Sequence, residues 1–320
     1  MKRIRVAFFG APIFAARVLQ KIIDDKDLPV DLSFVVTQPD RPAGREQILT
    51  PTPVKLLAQK NNISVFTNPK LWTLDSRLKE IDLVLLYAFG EIIPSEMLKI
   101  PRWGFWNIHP SLLPKYRNTS PIVYSLLLGD KTTGVSLIEM DERLDHGPII
   151  AQKEYDIQAN DTRDSLENRL SDIGYELFKQ SIQSLVDGTL QKYEQNHEDR
   201  TFTKLLTKQN GFIPFEIVQK ILKGESLTKE DCPQIILDYF AKYGVPPTFD
   251  YRLSTFCLFR ALSPWPGLWT ILKWQALIEK RLKITGMELR EEKAIITKVQ
   301  LEGKKEVDIK TFTSAYHILS

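Results

Sequence analysis

Two polar side chains two residues apart on a short apolar run are the first candidates for chemistry: Asn107 and His109 in GFWNIHPSLLPKYRNTSP, residues 104–121. A strand turns successive side chains to opposite faces, so this pair points one way while Trp106 and Ile108 point the other. An amide donor beside an imidazole at a strand end can polarise a carbonyl and handle a proton. A third candidate is Asp145 in RLDHGPI. An Asp close to Gly147 and Pro148 equally fits an ordinary turn. Taken singly, Asn107 also fits a loop-bonded amide and His109 a satisfied core histidine.

The elements that must position these residues alternate from residue 4 onward. IRVAFFG, LSFVV, ISVF, LVLLY and GFWNIH read as strands, separated by helical runs such as FAARVLQKIID, VKLLAQK, LDSRLKEI and PSEMLK. Strand and helix in alternation predict βαβ units and a doubly wound, mostly parallel α/β sheet. Ligands of such sheets bind at the carboxyl ends of the strands, where GFWNIH delivers its polar pair. TGVSLIEM and PIIAQKEYDI, joined through DERLDHG, read as two antiparallel strands added to the sheet, and a long amphipathic helix is expected from about residue 161 to 186. The polar stretch around 188–206 is expected to be a linker. The organisation is then an N-terminal catalytic domain at 1–188, a linker at 189–206 and a smaller domain at 207–320. That last part has helical stretches near 215–223 and 230–243, and from about 253 its short β-rich segments predict a small OB-like β-barrel.

Length and composition agree. The 320 residues suit two domains, and 43% hydrophobic with 26% charged residues excludes a disordered or collagen-like chain. Net charge is +3, too small for wholesale nucleic-acid coating, but residues 207–320 hold 17 Lys and Arg against 13 Asp and Glu, a net +4 that permits an RNA contact. Cys232 and Cys257 lie 25 residues apart and form no CxxC pair, so neither a disulfide framework nor a thiolate metal site is indicated. Without a signal-peptide core or a membrane-length apolar run, a cytoplasmic protein is expected, and it is expected to act as a monomer.

N-I-H-P-S-L-L-P-K-Y-R-x-x-x-P followed by L-D-H-G-P-I resembles the active-site signature of the folate-dependent formyltransferases, whose Asn, His and Asp fall on Asn107, His109 and Asp145. TQPDRPAGR (37–45) with TPTPVKLLAQ, FRALSPWPGLWT (259–270) and GKKEVDIKTFTSAY extend the likeness over nearly the whole chain, toward the branch that acts on methionyl initiator tRNA. The resemblance implies a Rossmann-like catalytic domain and 10-formyltetrahydrofolate as formyl donor, with no metal. It places Ser111, Leu112, Leu113 and Pro114 along the folate. The loop from Ala88 through Phe89, Gly90, Glu91, Ile92 and Ile93 receives the pterin ring, and Arg41 and Arg45 lie on a loop that reaches the tRNA. Apolar walls with backbone hydrogen bonds suit a flat heterocycle, and guanidinium groups suit phosphate.

The chain departs from that pattern in places. Gly10-Ala11-Pro12 is followed by Ile13 where an acidic residue is common. Glu46-Gln47-Ile48 replaces a basic run, and Asn118 stands where glycine is usual, a position Asn tolerates because it visits left-handed backbone. Residues 224–252 resemble an insertion. A nucleotide-linked amino sugar as acceptor and a catalytically idle RNA binder are the alternatives. A nicotinamide-dependent dehydrogenase is excluded because GAPIFAA lacks the phosphate-binding glycines, and a serine hydrolase because no GxSxG occurs.

Overall fold

The β-branched and aromatic run IRVAFFG forms β1 (Ile4–Gly10) of a computed structural model that describes residues 3–44, 46–67, 76–247, 249–274 and 278–316. In chain order there follow α1 (Ile13–Asp24), β2 (Val30–Val36), β3 (Arg41–Ala43), β4 (Ile48–Thr50), α2 (Pro53–Lys60), β5 (Ser64–Phe66), β6 (Leu83–Tyr87) and α3 (Ser95–Leu98). Next come β7 (Phe105–His109), α4 (Pro121–Leu127), β8 (Thr132–Glu139), β9 (Ile149–Asp156) and α5 (Arg163–Val186). The chain then forms α6 (Phe215–Leu222), α7 (Gln234–Tyr243), α8 (Ser254–Leu262), β10 (Leu268–Trp274), β11 (Ile278–Arg290), β12 (Lys293–Leu301), β13 (Glu306–Asp308) and α9 (Ile309–Tyr316). No helix among the described residues is long and apolar enough to cross a membrane.

Contacts divide the chain into two compact units: residues 1–121, 133–156 and 166–203, and residues 122–132, 157–165 and 204–320. The first holds a seven-stranded sheet in the order β5-β2-β1-β6-β7-β8-β9. All five strands expected in the alternating half are present, and β2, β1, β6 and β7 pair in parallel. The chain steps from β1 outward to β2 and β5, then returns to the far side of β1 with β6. The order therefore reverses between β1 and β6, which opens the ligand crevice of a doubly wound sheet at their carboxyl ends. β8 pairs antiparallel with β7. β9 runs back along β8: the Glu139 N–H donates to the Pro148 carbonyl at one end of the pair, and Gly134 lies against the Lys153 carbonyl near the other.

One face of the sheet packs Phe9 against Phe89 and Phe105, with ring centroids 5.4 and 5.5 Å apart. The other receives α5, where Phe178 meets Trp106 edge-on at 6.4 Å. Gly174 lets α5 approach closely, since a Cβ there would stand 2.6 Å from Ile108 Cγ2. Between residues 37 and 52 the chain forms a two-stranded ribbon, β3–β4, rather than an irregular loop. Strands of three residues, RPA and ILT, are too short to show alternation. The ribbon's base is tied by Thr37 Oγ1 to Thr52 Oγ1 at 2.6 Å and by Lys55 Nζ to Asp40 at 2.8 Å. Of LDSRLKEI only a single 3₁₀ turn, Ser76–Glu80, lies within the described residues.

In the second unit β10 to β13 form a four-stranded antiparallel sheet in sequence order. The expected helices are α6 and α7. Residues 254–262, which the sequence places in the β-rich part, form α8, whose buried side chains include Phe256, Leu258 and Leu262. Arg260 of α8 donates to the carbonyls of Ala159 and Asp161 at 3.2 and 3.3 Å. Cys232 and Cys257 are free, buried thiols, and burial pushes Cys232 up to about 12.

Candidate active site

β7 is buried along its whole length between a parallel and an antiparallel neighbour. Alternation puts Trp106 and Ile108 on α5 and leaves Phe105, Asn107 and His109 on the opposite face, as the sequence requires. His109 is 4% exposed and Asn107 8%, so neither competes freely with water for a partner.

Asp145 reaches this face from the β8–β9 loop. Its Oδ1 accepts a long hydrogen bond from Asn107 Nδ2 at 3.3 Å and lies 3.6 Å from His109 Nδ1. Its Oδ2 accepts from the backbone N–H of Asn118 at 2.7 Å. Asn118 has φ +88, the left-handed conformation expected for it. His109 Nε2 lies 3.0 Å from the carbonyl oxygen of Tyr116. A carbonyl only accepts, so Nε2 carries a proton and Nδ1 is the nitrogen facing the carboxylate. Asn107 and His109 therefore converge on a single carboxylate oxygen of Asp145, the third residue that the resemblance implies.

Asp145 itself has φ +49, uncommon for a residue with a side chain. Two features hold the loop there. A Cβ on Gly147 would collide with the Glu139 carbonyl, so the chain passes too close to β8 for any other residue. The amide of Gln195 donates from Nε2 to the carbonyls of Asp145 and Gly147, at 3.0 and 2.8 Å. Gln195 belongs to the stretch read in the sequence as linker, and that stretch packs on the site. Tyr193 exchanges two backbone hydrogen bonds with Ile149, and Thr201 and Thr203 bond to the backbone of Arg117. No periodicity marks residues 189–203, which is why spacing overlooked them.

Arg117, 2% exposed, donates from Nη2 to Gln195 Oε1 at 2.5 Å and to His197 Nδ1 at 2.8 Å. Burial lowers the Arg117 pKa from its ordinary value, and the negative charge of Asp145 opposes that shift. The His197 ring stacks on His146 with centroids 4.0 Å apart. Desolvation first, and then the neighbouring His146 and Arg117, hold His197 below the usual histidine range.

The residues expected along the folate divide into anchors and exposed groups. Ser111 is fully buried and donates to the Lys115 carbonyl, and Leu113 packs with Ile138 and Ile149. Phe89 and Ile93 belong to the core behind β1 and β6. Gly90 and Ile92 are exposed, Ile92 at 91%, while Leu112, Pro114 and Glu91 are half-buried. Arg41 is exposed on β3, and Arg45 lies outside the described residues. A groove of about 860 Å³ at the other end of β7, against Trp103 and Met140, is not lined by the three converging residues. Among the described residues no cluster of His, Cys, Asp or Glu could hold a metal ion.

Curated methionyl-tRNA formyltransferases of Bacillus thuringiensis and Bacillus anthracis are 41% identical to this chain over 203 residues. The match covers 62% of this chain and 64% of theirs, less than two thirds of the relatives' length. A 4-N formyltransferase from Francisella tularensis shares the fold, with TM-score 0.59 and 16% identity over 85% of this chain and 94% of that one. An N-formyltransferase from Helicobacter canadensis, in complex with folinic acid and dTDP-3-aminofucose, aligns with TM-score 0.54 and 19% identity over 95% of this chain and 98% of its own. The formyl transferase family model matches residues 2–182, a span that includes β7, the Asp145 loop and both strands flanking the crevice, and the chain belongs to that family.

Proposed function

We propose that this protein transfers the formyl group of 10-formyltetrahydrofolate to the α-amine of methionyl initiator tRNA, acting as a cytoplasmic monomer. The observation that carries the reading is the convergence of Asn107 and His109 on Asp145 Oδ1, within the span that the formyl transferase family model matches.

Formyl transfer to an amine passes through a tetrahedral carbon bearing an oxyanion, and the attacking nitrogen must lose a proton. Asn107 Nδ2 is the neutral donor for the oxyanion. With Nε2 committed to the Tyr116 carbonyl, His109 donates from Nδ1 only as an imidazolium paired with Asp145. Asp145 is that counter-charge, and it accepts the amine's proton directly or through water. The carbon–nitrogen bond to the folate breaks as the proton passes to the leaving nitrogen. Ile92 faces the pterin beside the backbone of residues 88–93, and Leu112 and Pro114 lie along the folate. Residues 1–188 carry the chemistry, and residues 207–320, with Arg41 and Arg45, help to hold the tRNA.

The test supplies labelled 10-formyltetrahydrofolate with methionyl initiator tRNA and a nucleotide-linked amino sugar as parallel acceptors. Label on the tRNA alone is the expected result. Label on the sugar alone keeps the chemistry and overturns the acceptor.

A further inference from the structure

We propose that Gln195 is a positioning residue for the Asp145 carboxylate; the proposal rests on the reading of Asp145 as part of the active site. Asp145 at φ +49 holds a conformation that side-chain-bearing residues seldom adopt, and such a conformation persists only where its surroundings over-determine it. Gln195, 5% exposed, spans both sides of the site. Its Nε2 donates to the carbonyls of Asp145 and Gly147, and its Oε1 accepts from Arg117 Nη2. The next residue, Asn118, donates its N–H to Asp145 Oδ2. One side chain thus couples the loop that carries the carboxylate to the loop that orients it.

The residue type follows from this task. Two carbonyls require two donors and a guanidinium requires an acceptor, and a neutral side-chain amide supplies both. A carboxylate in its place keeps the Arg117 contact and sets negative charge against two carbonyl oxygens. An apolar side chain of similar size takes the side-chain donor from both carbonyls and leaves Arg117 Nη2 with His197 as its acceptor. The strap that carries Gln195 is itself fixed on both sides, by the paired Tyr193–Ile149 backbone bonds and by the bonds of Thr201 and Thr203 to Arg117. Its position is therefore set independently of the amide.

The experiment uses the full chain with Gln195→Glu and Gln195→Leu, the first retaining volume and the Arg117 contact should the second fail to fold. Hydrogen exchange of the Asn118 amide, whose acceptor is Asp145 Oδ2, reads the position of the carboxylate without any activity assay. Formyl transfer reads its consequence. The expected result is faster exchange at Asn118 in both variants, with kcat lower on the order of 10²-fold and KM for the formyl donor little changed. In an Asp145→Ala background, Gln195→Glu is expected to cost nothing further, because it acts through that carboxylate. Unchanged exchange at Asn118 overturns the proposal, as does full kcat in a variant whose exchange has risen. Wild-type protein that transfers no formyl group defeats the functional reading separately, while the exchange comparison still decides whether Gln195 holds Asp145.

Discussion

His109 Nδ1 lies 3.6 Å from Asp145 Oδ1, with nine-tenths or more of each side chain withdrawn from solvent. The opposite ring nitrogen donates to the Tyr116 carbonyl, so turning the ring away gives up that buried hydrogen bond. The spacing of the pair is thus set by the fold, through β7 on one side and the β8–β9 loop on the other.

Asp145→Asn is nearly isosteric and keeps an oxygen for the Asn118 N–H, but it removes the counter-charge and the base. The expected outcome is a kcat lower by about 10²-fold or more, with a thermal unfolding midpoint close to wild type. Steady-state kinetics beside thermal melts check it. Near-normal kcat in the folded variant counts against the proposed role.

Gly147→Ala pushes a methyl group into the Glu139 carbonyl, a backbone atom with no room to yield. The expected cost is about 2–3 kcal/mol in urea unfolding, accompanied by loss of turnover because the same loop carries Asp145. Unchanged stability shows that the loop relaxes.

Short-range rules made part of this site legible in advance, while Asp145 came in only through the resemblance to the formyltransferase signature, since on its own it reads equally as a turn residue. Asn107 and His109 share a face because β7 alternates, and Asn118 carries the positive φ that its amide tolerates. Gln195, Arg117 and His197 act through contacts some 50 to 80 residues apart along the chain, which spacing cannot show. The ribbon at Arg41–Ala43 and Ile48–Thr50 was hidden by its brevity. For Leu112 and Ile92 apolar character fitted a ligand wall and core filling alike; Ile92 is exposed and Leu112 half-buried, while Phe89 and Leu113 are buried.

Asp25 joins the C-terminal end of α1 to α5 through Tyr175 and Lys179, which hold its carboxyl at about 2. A depressed carboxyl stabilises the fold above its ordinary value of 3.8 and loses that contribution as pH falls toward 2. Asp25→Asn is expected to cost about 1 kcal/mol at pH 7 after solvent screening, with the difference from wild type vanishing near pH 2. Urea melts across pH 2–7 measure it, and a constant difference contradicts the account.

His197 responds in the opposite direction of charge. Its folded form resists protonation first because it is desolvated and then because it faces the His146 ring and the Arg117 guanidinium, with Arg200 adding positive charge and Glu194 opposing it. As pH falls below the ordinary histidine value of 6.5, the unfolded chain takes up a proton that the folded chain refuses, so stability declines. His197→Gln is expected to flatten that decline between pH 6.5 and 5. An identical pH profile in variant and wild type counts against it.

The central claim is that Asn107, beside His109 and Asp145, stabilises the transition state of formyl transfer. The most direct measurement is single-turnover transfer from labelled 10-formyltetrahydrofolate to methionyl initiator tRNA by wild type and by Asn107→Ala. The account requires transfer by wild type and a rate lower by about 10²–10³ in the variant, with the tRNA still bound. An Asn107→Ala protein that transfers formyl at the wild-type rate contradicts it.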